Sequence, residues 1–271
     1  MELPERIKPT IRPDERPIGF QCWSNLLFVH WRVPVATIRE LIPAELTVDT
    51  FDGDAWIGLV PFYMSRVRPA GLPAMPWISQ FCETNLRTYV HLGGSRPGVW
   101  FFSLEAARLI AVSVARWKWR LNYHWAKMSL RRDGDLITYQ SQRIRSKPPA
   151  HSNVAAEIGT ELEPFTTDTE RQSLEFFLAE RYLLYTVGPG DRLLCGQVHH
   201  RPYPLKQARL QTFEQTITDA ASLQIEHPPN HVLFSEGVNV EIFPLREVKN
   251  GQKADSLITL QGNCVDSRGG K

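Results

Sequence analysis

Strand-forming runs separated by tight-turn signals recur along most of the chain, and this punctuation constrains the fold more than any other feature. Residues 25–33 (NLLFVHWRV) are rich in β-branched and aromatic side chains. Asp52-Gly53 and Asp133-Gly134 are hairpin signals, because a two-residue type I′ turn needs positive φ at both central positions. Strand-like runs flank each signal: 46–50 before 55–64, and 124–131 before 136–145. Residues 80–91 and 99–104 form another expected hairpin across the Gly- and Pro-containing stretch 93–98. Residues 192–200, 206–216 and 231–243 read as strands again. Expected helices are few. One spans 36–41, opened by Pro34 and stopped by Pro43, and another covers 106–115. The clearest is 168–181, where Thr169 can cap and Leu174, Phe177, Leu178 and Arg181 share a face. Strands joined by tight turns and outnumbering helices predict an α+β class, with an antiparallel sheet curled or closed into a barrel.

The ends differ from the middle. Pro4, Pro9, Pro13 and Pro17 disfavour both helix and ladder, so residues 1–20 read as an extended arm. Residues 246–271 are a polar tail in which only 257–260 (LITL) suggest a short strand. Residues 21–245, without repeat or linker, read as one domain. Lys+Arg 31 against Asp+Glu 29 leaves a formal charge of +2, too little to expect a nucleic-acid binder. No apolar run approaches the ~20 residues that span a bilayer, and the opening residues carry no signal-peptide core. A cytoplasmic protein without membrane contact is expected. Cys22, Cys82, Cys195 and Cys264 lie far apart with no paired spacing, which predicts reduced thiols and no metal centre.

Three stretches carry candidate chemistry. On a strand, Glu83, Asn85, Arg87 and Tyr89 share one face. An acid, an amide, a guanidinium and a phenol on one wall can orient a polar ligand if a cavity lies before them, with Arg87 forking onto a carboxylate. The same pattern also fits the wet face of an antiparallel sheet. The second stretch, 115–128, interleaves aromatics with cations. Tyr123 and Lys127 share a face there with His124 opposite, and a buried Lys127 would have a lowered pKa. Third, His199 and His200 point to opposite faces of a strand and cannot readily chelate one metal together. The nucleophile elbow, the P-loop and the dinucleotide glycine fingerprint are absent from the sequence.

Several segments together resemble the YqjF-like family, a bacterial family of unknown function. They are 25–31 (NLLFVHW), 42–46 (IPAEL), 48–56 (VDTFDGDAW), Pro61-Phe62, and the run Glu83-x-Asn85-x-Arg87-Thr88-Tyr89-Val90. The resemblance continues through 97–104 (PGVWFFSL), Ala115-Arg116 and His200-x-Pro202-Tyr203-Pro204-Leu205, covering most of 20–245. Tyr203 stands where the family more often carries Trp. The family is distantly similar to acetoacetate decarboxylase, which implies an antiparallel, cone-shaped β-barrel with flanking helices and an internal pocket. That resemblance sets Arg116 on a motif arginine, Trp117 on its glutamate, and Asn122-Tyr123-His124 on the Pro-Lys-Lys that supplies the imine-forming lysine. Both lysines are missing, and a phenol or an imidazole forms no imine with a ketone. Glu83 matches an active-site glutamate.

The expected function is a pocket for a small carbonyl or carboxylate compound. Its catalytic form is a cofactor-independent, lyase-like enzyme lacking the Schiff-base lysine. Glu83 and Tyr123 are the expected catalytic groups, and Arg87, Arg116, Asn85 and His124 the expected substrate-binding groups. The alternatives are a non-catalytic small-molecule binding or sensor protein and a protein-interaction role. Lys127 is retained as a displaced imine-forming lysine.

Overall fold

A computed structural model describes residues 5–75, 79–108, 121–147 and 149–248. The strands of the first half are β1 (Gly19–Val33), β2 (Thr47–Val48), β3 (Ala55–Pro69), β4 (Phe81–Leu92), β5 (Ser95–Ala106), β6 (Tyr123–Asp133) and β7 (Leu136–Arg143). The second half supplies β8 (His151–Glu161), β9 (Leu183–Val187), β10 (Leu193–His199), β11 (Leu205–Gln215), β12 (His231–Ile242) and β13 (Arg246–Glu247). The helices described are short: α1 (Val35–Arg39), α2 (Leu174–Ala179) and α3 (Ile217–Ala220). The protein is therefore mostly β-sheet, and the helical share of the expected α+β class is small among the described residues.

The sheet pairings run in circuits. β12, β1, β3, β4 and β5 are successive antiparallel neighbours. From β5 one route returns to β12 through a parallel pairing with β6 and then β7, β8 and β11. A second route returns through a parallel pairing with β9 and then β10, which meets β12 at Val198 and His199. The five shared strands are thus covered on both faces. One face packs Leu27, Val29, Ile57, Leu59 and Leu86 with Ile137, Tyr139 and Val154 from the first route. The other packs Leu26, Phe28, Val60, Phe62 and Leu104 with Val198, Tyr203 and Val240. Two-sided cover explains why β4 is buried almost throughout and β3 from Ala55 to Phe62.

The turns refine the sequence reading. Asp52 (φ 52°) and Gly53 (φ 85°) form the expected positive-φ turn between Phe51 and Asp54. The strand before it, however, pairs with the end of β4 rather than with β3, at Thr47–His91 and Val48–Val90. At the second signal Asp133 is still in β6 opposite Leu136, and only Gly134 has positive φ. The β4–β5 connection is tighter than expected: Gly93 and Gly94 turn alone and Leu92 pairs with Ser95. β8 and β9 fall where the sequence showed no strand. In β8 the buried positions are Ser152, Val154, Ala156 and Ile158, an alternation too weakly apolar to stand out.

The helix expected over 168–181 shortens to α2. Thr167 and Glu170 exchange hydrogen bonds, each side chain accepting from the other's backbone N–H, and this box opens a 3₁₀ turn over Glu170–Gln172. Thr169 makes no capping bond; Ser173 caps α2 instead, its Oγ accepting from Phe176 N–H at 3.2 Å. Phe176, Phe177, Leu178 and Ala179 are all buried, so α2 is enclosed rather than amphipathic. Ala106 ends β5, and the rest of the segment assigned to a helix lies outside the described residues from 109 onward. The suggested strand at 257–260 and Cys264 also lie outside them. The arm is not loose along its length: Arg6 bonds Asp49 at 2.7 Å, and Gln197 donates to the carbonyls of Pro9 and Ile11. No helix among the described residues is long and apolar enough to cross a membrane.

The second route depends on a close approach at Gly98, where a Cβ would stand 2.7 Å from the Leu183 carbonyl oxygen and 2.9 Å from the Tyr185 ring. Gly98→Ala is expected to lower unfolding free energy by about 1–3 kcal/mol in urea titrations. An unchanged midpoint would show that β5 and β9 do not pack this closely.

Candidate functional site

Alternation along β4 places Glu83, Asn85, Arg87 and Tyr89 on one face, and the register sets their neighbours. Glu83 lies beside Phe62 and Ala106, Asn85 beside Val60 and Leu104, and Arg87 beside Gly58 and Phe101. A bulge between Leu86 and Arg87 brings Phe101, not Phe102, into line with the guanidinium. This is no wet face: Glu83 is 3% exposed, Asn85 7%, Arg87 8% and Tyr89 0%. Tyr123 of β6 meets it at the Glu83 end and α2 at the Arg87 end.

At one end of this face Tyr123, the first residue of β6, donates its hydroxyl to Glu83 Oε2 at 3.1 Å. Burial pushes the Glu83 carboxyl up to about 8; the nearby Glu105 charge adds to this and the Tyr123 bond opposes it. Burial, reinforced by Glu83, also holds the Tyr123 phenol well above its ordinary value. At neutral pH the pair therefore presents two protonated oxygens. Such groups can donate hydrogen bonds to a carbonyl oxygen or supply a proton.

Further along, Arg87 Nη2 and the Tyr89 hydroxyl both donate to the Leu178 carbonyl of α2, each at 2.9 Å. Tyr89 Oη is also 2.7 Å from His30 Nε2; since Tyr89 donates to Leu178, His30 Nε2–H is the donor in that contact. Gly58 makes room for this pair, because a Cβ there would stand 3.0 Å from the His30 ring. Burial, followed by the Arg87 charge, keeps His30 well below the usual imidazole range.

The arginines differ in one respect. Arg181 reaches Asp49 at 2.7 Å, with Arg6 on the other carboxylate oxygen. Arg143 lies on Glu105, its Nε donating at 2.8 Å. Arg87 has a backbone carbonyl and the rings of Phe28 and Tyr89, each 5.6 Å from its guanidinium carbon, but among the described residues no carboxylate. Among the described residues its Nε has no hydrogen-bond partner, and neither has Asn85 Oδ1.

Not every expected residue joins this group. His124 follows Tyr123 on the opposite face and stands in register with Glu105, behind the sheet from Glu83. Arg116 lies outside the described residues. Lys127 is exposed, not enclosed with Tyr123; it borders an open groove of about 460 Å³ whose lining also includes Phe81, Cys82 and Trp125 but none of the polar β4 face. Among the described residues no three His, Cys, Asp or Glu side chains gather as a metal-ligand set.

Sequence reasoning passed over Glu180, the residue closing α2. It is 3% exposed, accepts from the Tyr182 hydroxyl and the Tyr203 N–H, and is raised by burial to about 7. It also gave His30 no role. A buried His-x-x-x pattern inside an apolar strand carries no signal until the strand's partner is known.

The arrangement has relatives of known structure, all at low sequence identity. An acetoacetate decarboxylase-like enzyme from Sphingomonas wittichii RW1 superposes with a TM-score of 0.61 at 12% identity, covering 87% of this chain and 94% of that one. The enduracididine biosynthesis enzyme MppR complexed with pyruvate gives 0.58 at 13% identity, covering 86% and 91%. Acetoacetate decarboxylase from Legionella pneumophila subsp. pneumophila str. Philadelphia 1 gives 0.58 at 10% identity, covering 89% and 94%. The fold is thus that of the acetoacetate decarboxylase-like proteins. Within that class residues 20–239 match the model of DUF2071, described as an uncharacterized conserved protein, and the chain belongs to that family. It is 37% identical over 235 residues to the uncharacterized protein YqjF of Bacillus subtilis (strain 168), covering 87% of this chain and 94% of the relative.

Glu83→Gln keeps the shape of the neutral acid and cannot ionise. The folded protein holds a proton that the unfolded chain releases, so wild-type stability falls as pH climbs from about 5 through the raised Glu83 value of about 8. The variant is therefore expected to gain a few kcal/mol relative to wild type between pH 5 and pH 9, read from denaturation midpoints. A constant difference would place Glu83 in its ordinary range.

Proposed function

We propose that this protein binds a small carboxylate- or carbonyl-bearing compound against the polar face of β4, inside a cone-shaped barrel whose wall is the circuit of paired strands. One observation carries the reading: Arg87 is a buried cation with no carboxylate partner among the described residues. Burying an uncompensated charge costs several kcal/mol, and a ligand carboxylate facing the guanidinium removes that cost. Glu83, with the Tyr123 hydroxyl bonded to its other oxygen, then addresses the other end of the compound, its retained O–H donating to a carbonyl oxygen. MppR, a fold relative, is described in complex with pyruvate, a compound of this kind.

The test is thermal stabilisation and calorimetry with pyruvate and other small carboxylates. Arg87→Met is expected to weaken binding tenfold or more. Because it also removes an unpaired buried charge, the ligand-free variant is expected to melt at or above the wild-type temperature. Undiminished binding by Arg87→Met would end this reading.

In the catalytic form of the reading, a C–H bond next to the carbonyl breaks, solvent water takes the proton, and the electron pair moves onto the carbonyl oxygen, where the Glu83 O–H stabilises the enolate without an imine. Exchange of the pyruvate methyl protons with D₂O, followed by NMR, is expected to be accelerated by the protein. Glu83→Gln should slow that exchange about 10²–10⁴-fold with binding retained. The replacement of the imine lysine by Tyr123 and the exposure of Lys127 favour the alternative, a binding or sensor protein. Saturable binding with no exchange above background would decide for it.

A further inference from the structure

His200 follows β10 directly and is 3% exposed. Its Nδ1 is 2.7 Å from the carbonyl oxygen of Arg201. A carbonyl only accepts, so Nδ1 carries the ring hydrogen and, in the neutral imidazole, Nε2 is a bare lone pair. Burial drives the ring down to about 4, helped by the charges of His199 and Arg87 and opposed by the Arg201 bond, so the imidazole is neutral at physiological pH. Among the described residues nothing donates to Nε2. A buried acceptor left empty destabilises the folded protein.

The ring is also held firmly. It stacks on Tyr182 at 4.5 Å between centroids and leans on Tyr203 at 4.6 Å and Trp23 at 6.0 Å. The Tyr182 hydroxyl is committed to Glu180. Tyr203 in turn meets Phe28 edge-on at 5.4 Å, and the Arg87 guanidinium carbon lies 5.6 Å from the Phe28 ring centre. Arg87 and His200 are therefore linked through the Phe28 and Tyr203 rings, and they want opposite things: Arg87 an anion, His200 a hydrogen.

We infer that the compound bound here carries a hydroxyl or N–H donor as well as its carboxylate, and that His200 Nε2 accepts that hydrogen. This rests on the carboxylate reading of Arg87 and narrows it to hydroxy or amino acids. His200 is a specificity group here. A site that buries an acceptor discriminates against the analogue that cannot fill it, because that analogue leaves the lone pair unpaired.

Lactate and propionate differ by one hydroxyl and are the probes. Calorimetry on the intact protein is expected to show lactate binding at least tenfold more tightly than propionate. His200→Phe should bring lactate down to the propionate level with propionate unchanged, and His200→Gln, which retains an acceptor, should keep part of the preference. Thermal melts establish that each variant is folded. Equal binding of both acids by the wild type, with both lost in Arg87→Met, would overturn the His200 inference and leave the carboxylate reading standing. A preference for lactate that survives in His200→Phe would also overturn it. A His200-dependent preference that does not need Arg87 would uphold the acceptor role and remove the carboxylate reading. Failure of both acids to bind would remove both.

Discussion

The pairing of β4 with β5 is the contact on which the rest depends. It joins two routes of strands to a common set, so that β4 and the adjoining parts of β1, β3 and β5 are enclosed. The polar side chains enclosed there must then find their partners inside the protein. Thr88 does so by donating to the Trp56 carbonyl, and Tyr89 by bonding Leu178. Glu83 does so by keeping its proton. Arg87 cannot shed its charge, and its partial satisfaction by the Leu178 carbonyl is what sets it apart from its neighbours.

The contrast among the buried arginines gives the electrostatics a direction. Asp49 is 1% exposed and Glu105 0%, and both are committed to guanidinium groups. One set fastens Arg6 of the arm and Arg181, which follows α2, to Asp49 just after β2; the other fastens β5 to β7. These are framework contacts, each charge answered by its opposite. The Glu83 end of the polar face is proton-rich and uncharged, while the Arg87 end is positive. A molecule with an acidic head and a polar tail matches that gradient in one orientation only.

The polar alternation of β4 was plain from residues 83–89, as was the positive-φ turn at Asp52-Gly53. What could not be read was what lies across from each. Thr47 and Val48 precede that turn yet pair with β4, since the register is set by the apolar faces they must bury rather than by the nearest turn. β8 hid behind small residues, and α2 shrank because Thr167, Glu170 and Ser173 each bind backbone locally and interrupt a longer helix. The family resemblance supplied the fold relatives and the missing lysines. It put His124 among the binding residues, although its register with Glu105 sets it on the other side of the sheet. Neither the raised Glu83 carboxyl nor the empty His200 lone pair is a property of local sequence: one comes from two-sided cover, the other from a carbonyl one residue away.

The neutral state of Glu83 also reaches the bulk behaviour of the molecule. Counting every Asp and Glu as ionised gives the formal +2. With the Glu83 proton retained, that site contributes no negative charge to the folded chain at pH 7, so the formal count assigns to the interior a charge that folding has removed.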